Sequence, residues 1–179
     1  MLRDLSCFAA GETHIRFECE IADDLWLVEA DESQISQVIQ NLVINAIQAM
    51  PAGGVVHVRA DNIRVDAGST LPLPDGPYAR ITVQDEGCGI PERLLQRVFD
   101  PYFTTKETGT GLGLATSFSI VRKHDGHISV ESTIDVGTTF YVYLPAILEA
   151  DGPDGSPCAG AGAAQSADAA GATPPRQPS

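Results

Sequence analysis

Long apolar runs are missing from this sequence. No stretch approaches the ~20 consecutive apolar residues that a membrane-spanning helix needs, so a transmembrane segment is excluded. Basic residues are scarce: 11 Lys and Arg stand against 24 Asp and Glu, for a net charge of −13. Nucleic acid and anionic membrane surfaces both require clustered cations, so neither is an expected partner. The charge reads as solubility. Paired cysteines are absent too. Cys7, Cys19, Cys88 and Cys158 form no C-x-x-C or metal-type spacing, and read as free thiols in a reducing, cytoplasmic compartment. The N-terminal residues lack the apolar core of a signal peptide. The four histidines, His14, His57, His124 and His127, fit no metal or nucleophile pattern. Finally, residues 151–179 contain no Leu, Ile, Val, Met or aromatic side chain. Such a stretch buries too little apolar surface to offset its ordering entropy, and 149–179 is expected to be a disordered tail or linker.

What remains is ample for one domain. The hydrophobic fraction is 43% and concentrates in residues 14–148, while residues 1–13, with Leu2, Leu5 and Phe8, read as the end of an upstream helical element. His14 to Ile21 alternates, placing Ile15, Phe17, Cys19 and Ile21 on one face of a strand. Asp24 to Val28 is a second, shorter strand. Asp31 is the expected N-cap of a helix reaching about Met50, with Ile35, Val38, Leu42, Ala46 and Ala49 as its core stripe. A polar stripe of Gln34, Gln37, Asn41, Asn45 and Gln48 runs beside it. Strands are expected at 55–65, 78–84, 127–132 and 138–144, and helices from Pro91 to about Val98 and again from Leu114, closed by Asp125-Gly126. Strands interspersed with helices, and two strand pairs that look antiparallel, predict a two-layer α/β sandwich. In it a mixed, mostly antiparallel sheet is covered on one face by helices.

Four features carry chemistry, each with a plain alternative. Asp85 shares its strand's inward face with Ile81 and Val83, and an inward carboxylate needs a donor. That donor is either the following turn, Asp85-Glu-Gly-Cys-Gly-Ile, or a flat ligand's amino group admitted by Gly87 and Gly89. Gly109-Thr-Gly-Leu-Gly-Leu precedes a helix, where bare N–H groups bind anions, although glycine turns also simply start helices. Its spacing is neither the dinucleotide fingerprint nor a P-loop. Asn41 and Asn45 share one helix face, as either a hard-ion ligand set or a structural amide pair. Phe99 and Phe103 precede Thr104-Thr-Lys106, which is either a lid whose lysine reaches a phosphate or an ordinary surface loop. Cys88 has no histidine placed to activate it.

Together, in this order, these segments resemble the catalytic domain of histidine kinases, a branch of the Bergerat-fold (GHKL) ATPases. The resemblance rests on Asn41-Leu-Val-Ile-Asn-Ala, on Asp-x-Gly-x-Gly-Ile from Asp85, on Phe99-Asp-Pro-Tyr-Phe-Thr-Thr-Lys, and on Gly109-Thr-Gly-Leu-Gly-Leu. It spans about Asp31 to Leu144. It implies ATP and Mg²⁺ as cofactors, with Asn45 on the metal and Asn41 close to the phosphates. Asp85 would hold the adenine amine, Gly87, Gly89 and Ile90 would shape that wall, and Thr138 would lie near the adenine contact. Phe103, Thr104, Thr105 and Lys106 would belong to the ATP lid, with Asn41 and Lys106 the catalytic pair. Gly109, Thr110, Gly111, Leu112, Gly113 and Leu114 would close over the phosphates.

The resemblance also implies partners. A histidine-bearing dimerisation domain would receive the γ-phosphate, and a response-regulator receiver would follow it in a two-component phosphorelay. In the family the acceptor His lies on a dimerising helical hairpin and is followed by an acidic residue; no histidine here is in that setting, so the chain reads as the catalytic half alone, monomeric. A membrane anchor elsewhere in a full-length parent is compatible with that. Hydrolytic members of the superfamily carry a water-activating Glu where this chain has Asn41, which favours kinase over ATPase. The remaining alternative is an ATP-binding module without kinase activity.

Overall fold

The structure is a computed structural model, and it describes residues 14–105 and 109–148. The expected tail, the N-terminal 1–13 and Lys106 lie outside the described residues.

Among the described residues, six strands and three helices follow in the order β1 (Ile15–Ile21), β2 (Leu27–Val28), α1 (Glu32–Ala49), β3 (Gly54–Val65), β4 (Gly76–Asp85), α2 (Glu92–Leu95), α3 (Gly113–Lys123), β5 (His127–Thr133) and β6 (Gly137–Ile147). The sheet runs β1-β3-β4-β6, with β5 pairing the first part of β6 and β2 its far end. Only β1 and β3 are parallel; every other pair is antiparallel. The mixed two-layer sandwich read from the sequence is therefore the fold.

The helices cover one face because their apolar stripes demand it. Ile35, Val38, Ile39, Leu42, Val43 and Ala46 of α1 pack with Ile120 and Val121 of α3 onto Val56, Val58, Ile81, Val83, Phe140 and Val142. Burying each such aliphatic side chain is worth about 1.5–3 kcal/mol relative to exposure. The opposite face is polar, with Arg80 paired to Asp61, Arg59 to Glu20 and His57 beside Glu18. At one end of that face, Val65, Tyr78 and Tyr143 form a small second cluster with Leu71 and Leu73 of the loop before β4.

The ends of α1 and α3 are fixed by two side chains. Asp31 caps α1, accepting from the N–H groups of Ser33 and Gln34 at 2.9 and 3.2 Å. The Asp31 N–H in turn donates to His124 Nε2 at 3.1 Å, while His124 Nδ1 lies 2.8 Å from the Ile120 carbonyl. A carbonyl only accepts, so the proton sits on Nδ1, and a neutral imidazole ties the start of α1 to the end of α3.

Three elements differ from the sequence reading. The second strand shrinks to Leu27–Val28, because Leu25 N–H turns back to the Ala22 carbonyl and Trp26 N–H is taken by the Asn62 side chain. The helix after Pro91 ends at Leu95, and the chain continues in turns with three-residue hydrogen bonds, Arg97 to Leu94 and Asp100 to Arg97. That tighter winding delivers Phe99 to the core, with ring centroids 5.7 Å from Phe118 and 6.4 Å from Phe140. Cys19 is exposed rather than buried. Its strand is the sheet edge, and α1 lies over β4 and β3 instead.

Candidate functional site

The site grows from one line of residues on α1. Asn41, Asn45 and Ala49 recur every four positions and so share a face. At one end of that line, Asn41 Nδ2 donates to the Gly113 carbonyl at 3.0 Å and to Ser117 Oγ at 3.2 Å. At the other, the Ala49 carbonyl accepts from Cys88 N–H at 3.2 Å. The two glycine turns are thus pinned to the same helix face, and Asn45 lies between the two anchor points.

The first turn follows β4. Asp85 is 4% exposed, and its Oδ1 accepts from Gly87 N–H at 2.8 Å. Both readings of this carboxylate have a basis here: it caps its turn, and it faces inward beside Thr138, its direct register partner on β6. The glycines are dictated by crowding. A Cβ on Gly87 would lie 2.6 Å from Ala49 Cβ and 2.7 Å from Asp85 Oδ1. One on Gly89, whose φ is +69°, would strike the Thr133 carbonyl. Ile90 donates its N–H to Ser132 Oγ at 2.7 Å and packs its side chain against the core.

The second turn is set by a neck. Tyr102 N–H donates to the Gly111 carbonyl at 2.9 Å, and a Cβ on Gly111, φ +66°, would strike the Tyr102 backbone. The hydrogen bond closes the base of the segment carrying Phe103, Thr104 and Thr105. Phe103 donates its N–H to Asp100, and the Arg97 guanidinium lies 4.7 Å from its ring centroid. Thr104 and Thr105 are exposed, as is Thr110, while Gly109 is half-buried. Leu112 flanks the start of α3, 41% exposed, and Leu114 packs against the core.

Gly113 differs from its neighbours. A Cβ there would meet nothing nearer than Asn41 at 3.7 Å, an ordinary contact, and its φ is not in the left-handed region. The fold does not need glycine at Gly113. With no side chain there, Gly113 adds no cover to the first turn of α3, where a helix leaves its N–H groups without intrahelical partners.

Among the described residues, no group of three or more His, Cys, Asp or Glu could hold a metal ion. A cation here would have to combine one amide oxygen with ligands from a bound anion and water, the coordination habit of Mg²⁺. Also among the described residues, no helix is long and apolar enough to cross a membrane.

Sequence reasoning passed over Ser117, fully buried and bonded to Gly113 and Asn41, and over Ser132 at the end of β5. Their signal was faint: a serine at an inward strand or helix position, where an apolar residue is expected. In the sequence Tyr102 stands out only as part of its motif; its φ of 65° and its hydrogen bond to Gly111 place it at the base of the neck.

Comparison with known proteins agrees with this geometry. The family described as "Histidine kinase-, DNA gyrase B-, and HSP90-like ATPase" matches residues 30–147. Sensor kinase CckA of Brucella abortus (strain 2308) is 40% identical over 150 residues, covering 81% of this chain and 16% of that protein. Sensor histidine kinase ZraS of Escherichia coli (strain K12) is 39% identical over 144 residues, covering 80% of this chain and 28% of that one. Among solved structures, the catalytic domain of histidine kinase ThkA aligns at TM-score 0.61 and 34% identity, over 74% of this chain and 80% of that one. A mycobacterial sensor histidine kinase, MprB, aligns at TM-score 0.60 and 30% identity, over 74% and 83%. The chain spans less than a third of the length of these two curated relatives.

Proposed function

The chain belongs to the histidine kinase-, DNA gyrase B-, and HSP90-like ATPase family, and from that premise we propose that residues 14–148 are the ATP-binding catalytic domain of a sensor histidine kinase. Its reaction is transfer of the ATP γ-phosphoryl group to an imidazole nitrogen of a separate helical domain, with ADP as the leaving group. That phosphoryl group then passes to a receiver domain.

One observation carries this reading over hydrolysis. Asn41 stands where, by the resemblance, hydrolytic relatives place a Glu, and its amide nitrogen is engaged with Gly113 and Ser117. An amide cannot take a proton from water at neutral pH, so α1 supplies no general base at this position. An imidazole acceptor needs none, being itself a nucleophile.

The work left to this domain is positioning and electrostatics, which dominate phosphoryl transfer. Asp85 accepts the adenine amine on the inward face. Gly87, Gly89 and Ile90 form the wall beside it, and Thr138 lies next to the contact. The bare start of α3 at Gly109, Thr110, Gly111, Leu112, Gly113 and Leu114 receives the phosphates. Phe103, Thr104, Thr105 and Lys106 cover them, Lys106 contributing a point charge. Asn45, between the two turns, would hold Mg²⁺ through its amide oxygen. Bound there with ATP, the ion would neutralise charge on the β- and γ-phosphates. The domain acts as a cytoplasmic monomer that docks on its dimeric acceptor.

Mixing the chain with a separately produced histidine-bearing helical domain and γ-labelled ATP tests the proposal. An acid-labile phosphohistidine on the helical domain is expected. Steady release of inorganic phosphate without any labelled protein would favour the ATPase alternative and overturn this one.

A further inference from the structure

Three inward residues lie in a row across neighbouring strands: Ser132 of β5, Thr138 of β6 and Asp85 of β4, each paired directly with the next. Ser132 is the hub of the row. Its Oγ lies 2.7 Å from Ile90 N, 2.8 Å from the Gly137 carbonyl and 3.0 Å from Thr138 Oγ1.

With all three contacts made as hydrogen bonds, counting protons assigns each a direction. A hydroxyl has one proton to give and two lone pairs. The Ile90 N–H can only donate and the Gly137 carbonyl can only accept. Ser132 therefore receives from Ile90 and gives its single proton to Gly137. The third contact must then run from Thr138 to Ser132, which spends the Thr138 proton inside the protein. Thr138 is 4% exposed, and the rest of its oxygen offers lone pairs alone. Beside it stands the Asp85 carboxylate, also an acceptor when ionised. The inward end of the sheet thus presents two neighbouring acceptors and no side-chain hydroxyl donor from this row.

We propose that Ser132 is a specificity-determining positioning residue for the nucleotide base. It fixes the polarity of Thr138 so that the site reads an exocyclic amino group. The inference rests on the adenine-nucleotide reading above and assigns a role to a residue that makes no contact with the base itself. Ser132 also adds a side-chain tie between the turn after β4 and the β5–β6 hairpin, beside the backbone bond from Asp135 N–H to the Cys88 carbonyl.

The test compares affinities for ATP and for purine riboside triphosphate, in which hydrogen replaces the 6-amino group, by competition against a fluorescent ATP analogue on the 179-residue chain. The parent should favour ATP. Ser132→Ala removes the staple to Ile90 and Gly137, weakening both nucleotides alike. It also frees the Thr138 proton to turn toward ring nitrogen N1, present in both ligands, so the ATP preference should fall a further threefold to tenfold, about the worth of one hydrogen bond. Ser132→Thr, which keeps the hydroxyl, should hold the parental ratio. An unchanged ratio in folded Ser132→Ala would reduce Ser132 to a structural staple and overturn the proposal. Should that variant not fold, Thr138→Val reports instead: loss of its acceptor should lower the ATP preference, and a parental ratio overturns the proposal. A parent that binds neither nucleotide would overturn the adenine-site reading itself.

Discussion

The Asn41 side-chain amide donates to the Gly113 carbonyl at 3.0 Å, tying the middle of α1 to the first residue of α3. Ser117, fully buried one turn further along α3, completes the junction by accepting from Asn41 at 3.2 Å and donating to Gly113 at 2.9 Å. The residue that by resemblance lies near the phosphates is therefore also the one that holds the turn proposed to receive them. Asn41→Asp keeps the shape but removes the donor and turns a carboxylate toward the Gly113 carbonyl. It should destabilise the domain by about 1 kcal/mol, since the mismatched groups are part-buried. Urea unfolding monitored by circular dichroism reads the change, and parental stability would remove the junction from the account.

Gly111 and Gly113 are two residues apart and should respond oppositely to alanine. At Gly111 a Cβ collides with the Tyr102 backbone in a left-handed conformation, so Gly111→Ala should destabilise the neck. At Gly113 the added methyl meets only Asn41 at ordinary distance, and alanine suits a helix better than glycine by up to about 1 kcal/mol. Gly113→Ala should therefore fold as well as the parent or better, yet bind ATP more weakly because the methyl stands over the bare helix start. Thermal unfolding and calorimetry on the same samples separate the two effects. A Gly113→Ala protein with parental ATP affinity would detach this glycine from phosphate binding.

Much of this architecture was legible in the residues. The longer period-two strands and the α1 stripe from Ile35 to Ala46 hold because each lies over a continuous apolar core, while Ala49, read as the end of that stripe, lies instead against Gly87. Asp31 announced its helix as an N-cap, and the shared inward face of Asp85 and Thr138 follows from strand parity, while the register that sets them opposite each other does not. What stayed hidden depended on contacts distant in sequence. Nothing near Asn62 says that its side chain will take the Trp26 N–H and shorten β2 to two residues. Nothing near Ser132 says that Ile90, 42 residues away, will need an acceptor. Cys19 alternates correctly yet is exposed, because alternation reports a face and not whether a helix covers it.

Asp85→Asn tests the base end of the site. The amide keeps an oxygen for the Gly87 N–H, so the turn should persist. What is lost is the charge that strengthens a bond from an exocyclic amine. Hydrogen bonds to charged groups are worth about 1.5–3 kcal/mol, which corresponds to roughly tenfold to a hundredfold weaker ATP binding. Calorimetry with ATP measures this directly, and an unchanged dissociation constant would sink the adenine assignment.

Asn45 is the one residue assigned to the metal, so its loss should be visible only when the metal is present. Asn45→Ala should bind ATP like the parent in excess chelator and gain less than the parent as Mg²⁺ is titrated in. Superimposable Mg²⁺ titrations would remove Asn45 from the metal site.

Asp31 makes the start of α1 sensitive to acid. Its carboxyl pKa is lowered to about 2, chiefly by the Ser33 hydroxyl, then by the Gln34 side chain and N–H, with the Ser33 N–H adding a little. In the unfolded chain the same group titrates near ~3.9. A folded-state pKa below the unfolded one means the cap's contribution is complete above about pH 4 and is lost as pH falls through about 2. Asp31→Asn replaces it with an amide that also caps helices but does not titrate. Every other group titrates alike in both proteins, so the difference between their unfolding midpoints isolates Asp31. The parent's advantage over Asp31→Asn should shrink steadily across the window from about pH 4 to about pH 2. A constant difference across that window would mean that the Asp31 charge contributes nothing to the cap, leaving its oxygen alone to hold Ser33 and Gln34.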